Sequence, residues 1–308
     1  MNTADFGKVA VLMGGQSAER EISLKSGAAV LSALIAKNIE ADAIDVHEDI
    51  FELLRSGSYS RAFIAMHGPL GEDGSIQGGL DVIGLPYSGS GVMASSICMN
   101  KLMTKQIWSV FQIPSPRYKI LTESFDADEL EKELGLPMIF KPVSQGSSIG
   151  MTKVNSKDEI SSAWANASEF EDTVIAEQWV DGEEYTVTIL QERALPIIRL
   201  ETPRTFYDFD AKYESDETKY HCPCGLPELL ETKIQDLALQ AFKTTEASGW
   251  GRVDVMLDKN QQPWFLEVNT VPGMTDHSLV PMAAKVDNIS FEELVMRILE
   301  TSLPPAKG

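Results

Sequence analysis

Four side chains that can do chemistry lie on two apolar segments near the end of the chain. Arg252 and Asp254 stand two residues apart in GRVDVML, and Glu267 and Asn269 stand two apart in WFLEVN. Residues two apart on a strand point to the same face, so a hairpin that pairs the segments brings all four side chains together. Two carboxylates and an amide oxygen suit Mg²⁺, and an arginine beside them can hold a developing oxyanion. A solvated hairpin face with salt bridges is the alternative that the spacing leaves open.

A loop rich in glycine and serine, QGSSIG at 145–150, is a second candidate. Gly146 and Gly150 give its backbone freedom, and its successive N–H groups can cradle a phosphate. Lys141, on the strand predicted before the loop, adds positive charge. An ordinary flexible turn is the simpler interpretation of the same residues. No GxxxxGK[ST] motif occurs, which excludes a Walker-type P-loop.

Three more polar residues stand at the predicted ends of helices or strands. Glu19 lies in the first turn of the first predicted helix, where it either complements the helix dipole or binds an ammonium group. His67 follows a buried strand, at the edge where α/β sheets bind ligands, although a structural hydrogen bond fits equally well. Ser278 precedes a short helix and is either its N-cap or part of a site where backbone donors bind a carboxylate.

Composition narrows the class of protein. The 308 residues are 43% hydrophobic and 23% charged, which is typical of a globular protein with two or three domains. A net charge of −20 argues against a nucleic-acid binder and against binding to an anionic membrane. No signal peptide is evident, and no apolar stretch approaches the ~20 residues that cross a bilayer. Three cysteines give no disulfide framework and favour a cytoplasmic location.

The order of predicted elements indicates mixed α/β and α+β architecture. Strands alternate with helices over residues 1–100, which predicts a doubly wound parallel sheet in an N-terminal α/β domain. We expect residues 85–87 to form a short strand of that domain. A single helix is predicted over 94–110, and it leads into the next part of the chain.

Two further domains are predicted after the first. Residues 101–181 resemble a small α+β domain, and residues 182–308 form a C-terminal domain with strands of antiparallel character. The polar stretch 202–223 is longer than the ~12–15 residues of an ordinary loop, so it is a candidate active-site lid. The cluster at 221–224 (HCPC) offers three zinc ligands, but their spacing is too tight for a usual site.

A series of sequence blocks resembles the D-alanine–D-alanine ligase family, whose members have the ATP-grasp fold. The blocks occur in order over nearly the whole chain: GGQSAEREISLKSG (14–27), HGPLGEDGSIQG (67–78), GSGVMAS (89–95), KP…QGSSIGM (141–151), FYDFDAKY (206–213), GRVDVML (251–257), EVNTVPGMT (267–275) and HSLVP (277–281). The resemblance implies three domains, with ATP held between the second and the third. It also implies a homodimer.

The resemblance assigns an ATP site and a metal site by position. The ATP residues are Lys101 and Lys141 at the phosphates, Glu177, Trp179 and Val180 at the adenine, and Glu184 at the ribose. The metal residues are Asp254, Glu267 and Asn269, which would bind two Mg²⁺, with Mn²⁺ as a substitute.

The resemblance also assigns the D-alanine site. Glu19 would bind the first ammonium group, and His67 would lie near the substrates. The remaining assignments are Arg252 and the Gly273 backbone as an oxyanion hole, Ser278 and Leu279 at the second carboxylate, Lys212 and Tyr213 from the lid, and Ser147 bonding Tyr213 and Glu19.

The implied reaction has two steps. The carboxylate of the first D-alanine attacks the γ-phosphate of ATP to give an acyl phosphate, and the amine of the second D-alanine then displaces phosphate. The lid must exclude water, which would otherwise hydrolyse the acyl phosphate.

Two departures from the family pattern bear on nucleotide binding: many relatives carry Lys at position 178 and an acidic residue at 145, whereas this chain has Gln178 and Gln145. Tyr213 favours D-alanine as acceptor, because relatives that use D-lactate often carry Phe there. A ligase for D-alanine with D-lactate and a non-catalytic nucleotide-binding module on the same fold are the alternatives.

Overall fold

Three separate sheets organise the chain. The computed structural model describes residues 6–46, 50–122, 125–202 and 217–303. Within these ranges, no helix combines the length and the apolar character needed to span a membrane. The predicted combination of α/β and α+β architecture is confirmed, with a parallel sheet first and antiparallel sheets after it.

The first sheet is parallel, with strand order β2-β1-β3. Its strands are β1 (Val9–Gly14), β2 (Ala41–Val46) and β3 (Arg61–Ile64), and its helices are α1 (Arg20–Ala36), α2 (Ile50–Ser56) and α3 (Ser75–Ile83). All six residues of β1 are buried, which explains its unbroken apolar sequence. The strand predicted at 85–87 is wrong as a full strand, since only an isolated bridge joins Tyr87 to Ala62.

Two helices replace the single helix predicted over 94–110, so that prediction is wrong. Helix α4 (Val92–Met99) ends at Asn100, and α5 (Lys101–Val110) begins directly after it. Asn100 has an extended backbone, and its side chain accepts the N–H of Met103 at 3.0 Å as an N-cap. The break places Lys101 in the first turn of a new helix, where its backbone N–H donates to Val143 O at 2.8 Å.

The second sheet is antiparallel, with order β4-β7-β5-β6. It consists of β4 (Tyr118–Leu121), β5 (Met138–Pro142), β6 (Thr152–Val154) and β7 (Val174–Gln178), packed with α6 (Ala127–Leu134) and α7 (Ile160–Ser168). The loop 145–150 connects β5 to β6, as the sequence predicted.

The third sheet carries the predicted hairpin. Its order is β11-β10-β8-β12-β13, and β9 pairs with β8. The strands are β8 (Gly182–Leu190), β9 (Arg193–Ala194), β10 (Ile198–Glu201), β11 (Lys219–His221), β12 (Trp250–Asp258) and β13 (Pro263–Asn269). Strand β11 lies within the predicted lid 202–223 and pairs with β10. The predicted lid residues Lys212 and Tyr213 lie outside the described residues.

Two of the last three helices return to the first sheet. Helix α8 (Glu228–Thr244) packs on the third sheet, whereas α9 (Leu279–Val286) and α10 (Phe291–Glu300) share the core cluster of the first sheet. Ser290 Oγ accepts the N–H of Glu293 at 3.2 Å, which confirms that Ser290 caps α10. The buried face of α10 belongs to the same core cluster as β1 and α1. This packing brings the segment after β13 against the loop after β3, and the two together line a cavity.

Candidate active site

The register of β12 and β13 confirms that the four hairpin side chains converge. Arg252 pairs with Asn269, and Asp254 pairs with Glu267. Directly after this pair the register shifts, and Val255 stands opposite Phe265. A bulge of this kind re-aims side chains, and here both Leu266 and Glu267 line the same cavity. Strict alternation would have sent these two neighbours to opposite faces.

Asp254 is the centre of a dense polar network. Arg252 Nε and Nη2 donate to its two carboxylate oxygens at 2.8 and 2.9 Å. Thr186 Oγ1 donates to Oδ1 at 2.6 Å, and Asn269 Nδ2 donates to Oδ2 at 3.0 Å. The side chains of Arg252 and Asp254 are only 13% and 9% exposed. The alternative of a solvated hairpin face is therefore wrong, because this ion pair is largely desolvated.

Two cavities meet at Lys101 and Glu267, whose charged groups are 3.5 Å apart. The first, called here the substrate cavity, is lined among others by Glu19, His67, Ser147, Arg252, Asn269, Gly273, Ser278 and Leu279. The second, called the nucleotide cavity, is lined among others by Lys141, Glu177, Trp179, Val180, Glu184 and Asp254. Every predicted site residue within the described ranges thus lines one cavity or both.

The loop 145–150 is held across the junction of the two cavities. Lys101 Nζ donates to Gln145 O at 2.6 Å, and Ser147 Oγ donates to Glu19 Oε1 at 2.8 Å. Ser147 and Ser148 have positive φ values of 51° and 62°, a conformation that L-residues adopt rarely. Side chains from two other elements therefore anchor this segment, a feature that the interpretation as an ordinary flexible turn does not include.

His67 lies at the carboxyl end of β3, and both of its ring nitrogens have partners. Nδ1 lies 2.8 Å from Val271 O, and Nε2 lies 3.1 Å from Ser26 Oγ, which accepts the N–H of Met274 at 3.1 Å. A carbonyl oxygen only accepts, so Nδ1 carries the proton, and Nε2 of the neutral ring accepts from Ser26. Burial lowers the pKa of His67, which favours this neutral form.

The part of the substrate cavity next to α9 is shaped by residues 273–279. Ser278 precedes α9, but its side chain makes no capping bond to that helix. Its Oγ instead accepts the N–H of Thr275 at 2.9 Å. A Cβ on Gly273 would lie 2.8 Å from this Oγ, so only glycine leaves both the hydroxyl and the Gly273 backbone in place.

Sequence reasoning missed Lys105, which lies one helical turn after Lys101. Lys105 Nζ is 3.0 Å from Glu177 Oε1, and Lys141 Nζ is 2.8 Å from Glu177 Oε2. Lys105 is fully buried, and burial lowers its pKa to about 8. The same two lysines hold the pKa of the buried Glu177 below its usual range, against the effect of burial. The i to i+4 spacing of two lysines at the start of α5 was the available signal.

From the ATP site that the family resemblance implies, we expect Lys105→Met to raise the KM for ATP about tenfold, corresponding to about 1.4 kcal/mol, and to change kcat less. The resemblance places Lys141 at the phosphates, and with Lys105 gone Lys141 is drawn to Glu177 and away from them. Steady-state kinetics with ATP varied at saturating D-alanine measures the effect. Lys119→Met, on an exposed ion pair of β4, is the matched control and should change neither constant. An unchanged KM for ATP in a folded Lys105→Met variant would contradict the role.

Glu72 is a second residue that sequence reasoning missed, although it stands in the quoted block HGPLGEDGSIQG. It lines the substrate cavity and accepts the N–H groups of Gly68 and Val271 at 2.6 and 3.3 Å. Burial raises its pKa to about 8, with a further contribution from the charge of Glu19. No spacing rule pointed to it, because its environment comes from segments about two hundred residues apart.

At the end of β7, Gln178 has a partner of its own. Arg117 Nε donates to Gln178 Oε1 at 2.9 Å. The ammonium group of Lys153 lies 3.8 Å from the centre of the Trp179 ring, a cation–π contact. A positive charge therefore reaches this wall of the nucleotide cavity from β6, although position 178 is uncharged.

Comparisons with known proteins give the same family throughout. A sequence profile described as D-ala D-ala ligase C-terminus matches residues 107–300. A D-alanine--D-alanine ligase of Nitrosococcus oceani is 53% identical over 298 residues, which cover 97% of this chain and 94% of that protein. One from Pseudomonas fluorescens is 52% identical over 299 residues, with coverage of 97% and 92%.

Solved structures agree with the sequence relatives. A D-alanine--D-alanine ligase from Bacillus anthracis superimposes with a TM-score of 0.87 at 36% identity, covering 96% of this chain and 97% of that one. Its complex with ATP gives 0.85 at 34% identity, with the same coverage. A D-Ala:D-Ser ligase from Enterococcus faecalis gives 0.83 at 27% identity, covering 96% and 99%.

Proposed function

The chain belongs to the D-alanine–D-alanine ligase family, and from this premise we propose that its two cavities hold the reactants of one ligation. It is an ATP-dependent, ADP-forming ligase that joins two D-alanine molecules for peptidoglycan synthesis. The assignment of the cavities depends on one observation: the two cavities meet at Lys101 and Glu267. That junction is where the γ-phosphate of ATP and the carboxylate of the first D-alanine would come into contact.

The residues at the junction fit magnesium, and we assign two Mg²⁺ to Asp254, Glu267 and Asn269. Asp254 and Glu267 stand opposite each other, and Asn269 is bonded to Asp254 through its nitrogen, which leaves its amide oxygen to coordinate. Hard oxygen donors of this kind suit Mg²⁺. In the described ranges no three His, Cys, Asp or Glu side chains form a metal cluster by themselves, and Mg²⁺ in ATP-binding sites usually takes one or two carboxylates together with phosphate and water oxygens. When bound, the metal would neutralise the phosphate charge.

The remaining residues act either in substrate binding and phosphoryl transfer or in the attack by the second amine. Glu19, fixed by Ser147, binds the ammonium group of the first D-alanine and aims its carboxylate at the junction. Lys101 and Lys141 hold the phosphates. Arg252 and the Gly273 N–H then stabilise the oxyanion that forms when the second amine attacks the acyl phosphate.

Additional assignments concern the second substrate and the nucleotide. Ser278 and Leu279, at the start of α9, hold the carboxylate of the second D-alanine, and His67 supports the wall beside it. Trp179 and Val180 line the adenine site, and Glu184 faces the ribose. We also propose the three predicted domains 1–100, 101–181 and 182–308 as the units of the fold.

A homodimer in the cytoplasm is proposed from the family resemblance. The three cysteines are all free thiols, which suits a reducing compartment. Sedimentation at several protein concentrations tests the oligomeric state.

The activity is tested by ADP release with D-alanine, with L-alanine, and with D-alanine plus D-lactate. We expect release with D-alanine alone and none with L-alanine. Absence of ADP with D-alanine would refute the assigned reaction. A D-lactate ester as the main product would favour the alternative acceptor. The buried pair of Arg252 and Asp254 argues against a non-catalytic module, because a binder need not hold an oxyanion donor at the junction.

At the lid, Tyr213→Phe should raise the use of D-lactate relative to D-alanine severalfold. The hydroxyl of Tyr213 is the group that the family resemblance connects with amine acceptors. Product ratios at fixed concentrations of both acceptors measure the effect. Tyr220→Phe, on β11 where the predicted lid segment pairs with β10, is the matched control. An unchanged ratio in Tyr213→Phe would count against the lid role.

A further inference from the structure

We propose that Lys153 is a positioning residue for the nucleotide, because its ammonium group holds the Trp179 ring in place as a wall of the adenine site. The inference rests on the nucleotide cavity assigned in the proposed function. It adds a residue to which the family resemblance gave no role. Through Trp179, Lys153 contributes to the affinity for ATP and not to the chemical steps.

The register of the second sheet places Lys153 on the face toward the nucleotide cavity. One row of directly paired residues crosses the sheet: Tyr118 on β4, Glu177 on β7, Ile139 on β5 and Lys153 on β6. Glu177 and Ile139 line the nucleotide cavity, whereas Phe140, the next residue of β5, belongs to the core on the opposite face. Directly paired residues share a face of the sheet. Lys153 therefore leaves β6 on the side of the cavity.

Trp179 receives this side chain at the end of the row. It directly follows β7 and lines the nucleotide cavity. Its backbone N–H donates to Pro137 O at 3.2 Å, which fixes the main chain and leaves the direction of the ring to side-chain contacts. The ammonium group of Lys153 lies 3.8 Å from the centre of the ring. A cation is attracted to the face of an aromatic ring, most strongly to that of tryptophan, so Lys153 reaches over β5 and fixes the ring.

The positive charge of Lys153 is available for this contact. Lys141, which lines the same cavity, is instead paired with Glu177 at 2.8 Å. Within the ranges that the structure describes, Lys153 forms no ion pair with a carboxylate, and its ammonium group lies over the Trp179 ring. A carboxylate beside the ammonium group would compete with the ring for the charge. Without one, the attraction to the ring is kept.

Position 178 does not provide the charge at this wall. Gln178 is neutral, and its side-chain oxygen accepts the Nε–H of Arg117 at 2.9 Å, in an exposed hydrogen bond. Pro116 lines the nucleotide cavity, but Arg117 is not among the described residues that do so. The cation that acts on the Trp179 wall is therefore Lys153, which comes from the strand after the loop 145–150.

The two ends of the nucleotide cavity should respond differently to the loss of this contact. Ile139 and Trp179 line the cavity from the side of the second sheet, and Met256 and Leu266 line it from the third. These apolar side chains suit the flat faces of a base. A Trp179 ring that is no longer held by Lys153 would loosen the adenine side. The phosphate side, which depends on other lysines, would be unchanged.

Binding measurements on Lys153→Met separate the two ends. We expect the Kd for ADP, measured by calorimetry, to rise about fivefold, the effect of losing one cation–π contact at a half-buried site. The inhibition constant of adenosine, measured by displacement of ADP, should rise by the same factor. That of inorganic tripolyphosphate, which has no base, should stay within about twofold. The KM for ATP should rise with an unchanged kcat at saturating ATP.

Three further variants test the route through Trp179. Lys153→Arg keeps a cation for the ring and should keep the affinity for ADP within about twofold. Lys153→Met added to Trp179→Leu should cause no further loss, because residues that act through one contact are not additive. Lys157→Met removes an exposed ion pair with Asp128 four residues farther along the chain. It is the matched control and should leave all three affinities unchanged.

Several outcomes would overturn the inference. Unchanged affinities for ADP and adenosine in folded Lys153→Met would do so, as would an equal loss for tripolyphosphate, which would place Lys153 at the phosphates. Additive losses in the double variant would show that Lys153 acts apart from Trp179. If Lys153→Met does not fold, Lys153→Gln must show the same separation of adenosine from tripolyphosphate. Absence of ADP binding by the unmodified protein would instead refute the proposed nucleotide cavity.

Discussion

Replacing Glu267 by Gln should lower kcat about 1000-fold while the fold is kept. A bound cation that stabilises the phosphoryl group during its transfer lowers the activation barrier by several kcal/mol, and each ~1.4 kcal/mol of barrier changes the rate tenfold. Gln keeps the size of the side chain but loses the charge that both the metal and Lys101 would use, 3.5 Å away. The measurement is turnover at saturating ATP and D-alanine.

A readout independent of turnover separates loss of the metal from other damage. Calorimetric affinity for ADP should rise on addition of Mg²⁺ in the unmodified protein and much less in Glu267→Gln. Glu192→Gln makes the same chemical change on an 83% exposed side chain beyond β8, and it should behave like the unmodified enzyme. Near-normal kcat in Glu267→Gln would refute the metal assignment.

Arg252→Met is expected to lower kcat about 100- to 1000-fold, the usual cost of removing one oxyanion donor. Met removes the charge and both bonds to Asp254. Thr186 and Asn269 still donate to Asp254, so the hairpin should stay folded. The loss should appear mainly in kcat, since the oxyanion forms only in the transition state.

The conservative variant sharpens this second prediction. Arg252→Lys keeps a positive charge but cannot reproduce the planar two-bond contact of arginine with a carboxylate. Its kcat should therefore lie between that of the unmodified enzyme and that of Arg252→Met. Arg193→Met removes one partner of an ion pair on the same sheet. It is the matched control and should leave kcat nearly unchanged. Turnover of Arg252→Met within about threefold of the unmodified enzyme would contradict the oxyanion role, because removing an oxyanion donor lowers kcat far more than that.

The sequence predicted the hairpin well because its information is local. Alternation along two neighbouring segments placed Arg252, Asp254, Glu267 and Asn269 on one face, and the register confirms it. The bulge after Asp254 was not predictable, because a period of two carries no sign of an extra residue. Only the structure shows the consequence of the bulge, which is that Leu266 and Glu267 line the same cavity.

The break between α4 and α5 shows a different limit. Continuous helical periodicity over 94–110 concealed the cap at Asn100, whose side chain competes for a backbone N–H. The helix start that results is what places Lys101 and, one turn later, Lys105 beside the nucleotide cavity. Family resemblance supplied Lys101, but nothing in the pattern distinguished the buried Lys105 from a solvated lysine.

The sequence by itself determined most of the elements, the faces of the hairpin, the position of the loop 145–150 and, through its quoted blocks, the family. These depend on residues close together in the chain, where strand and helix periods set direction. The tertiary structure decided which carboxylates lose water and which histidine nitrogens are occupied. His67 and Val271 are 204 residues apart, and Glu72 and Val271 are 199 apart. Burial and partners at such separations set the pKa of Glu72, because desolvation depends on the packed surroundings and not on neighbours in sequence.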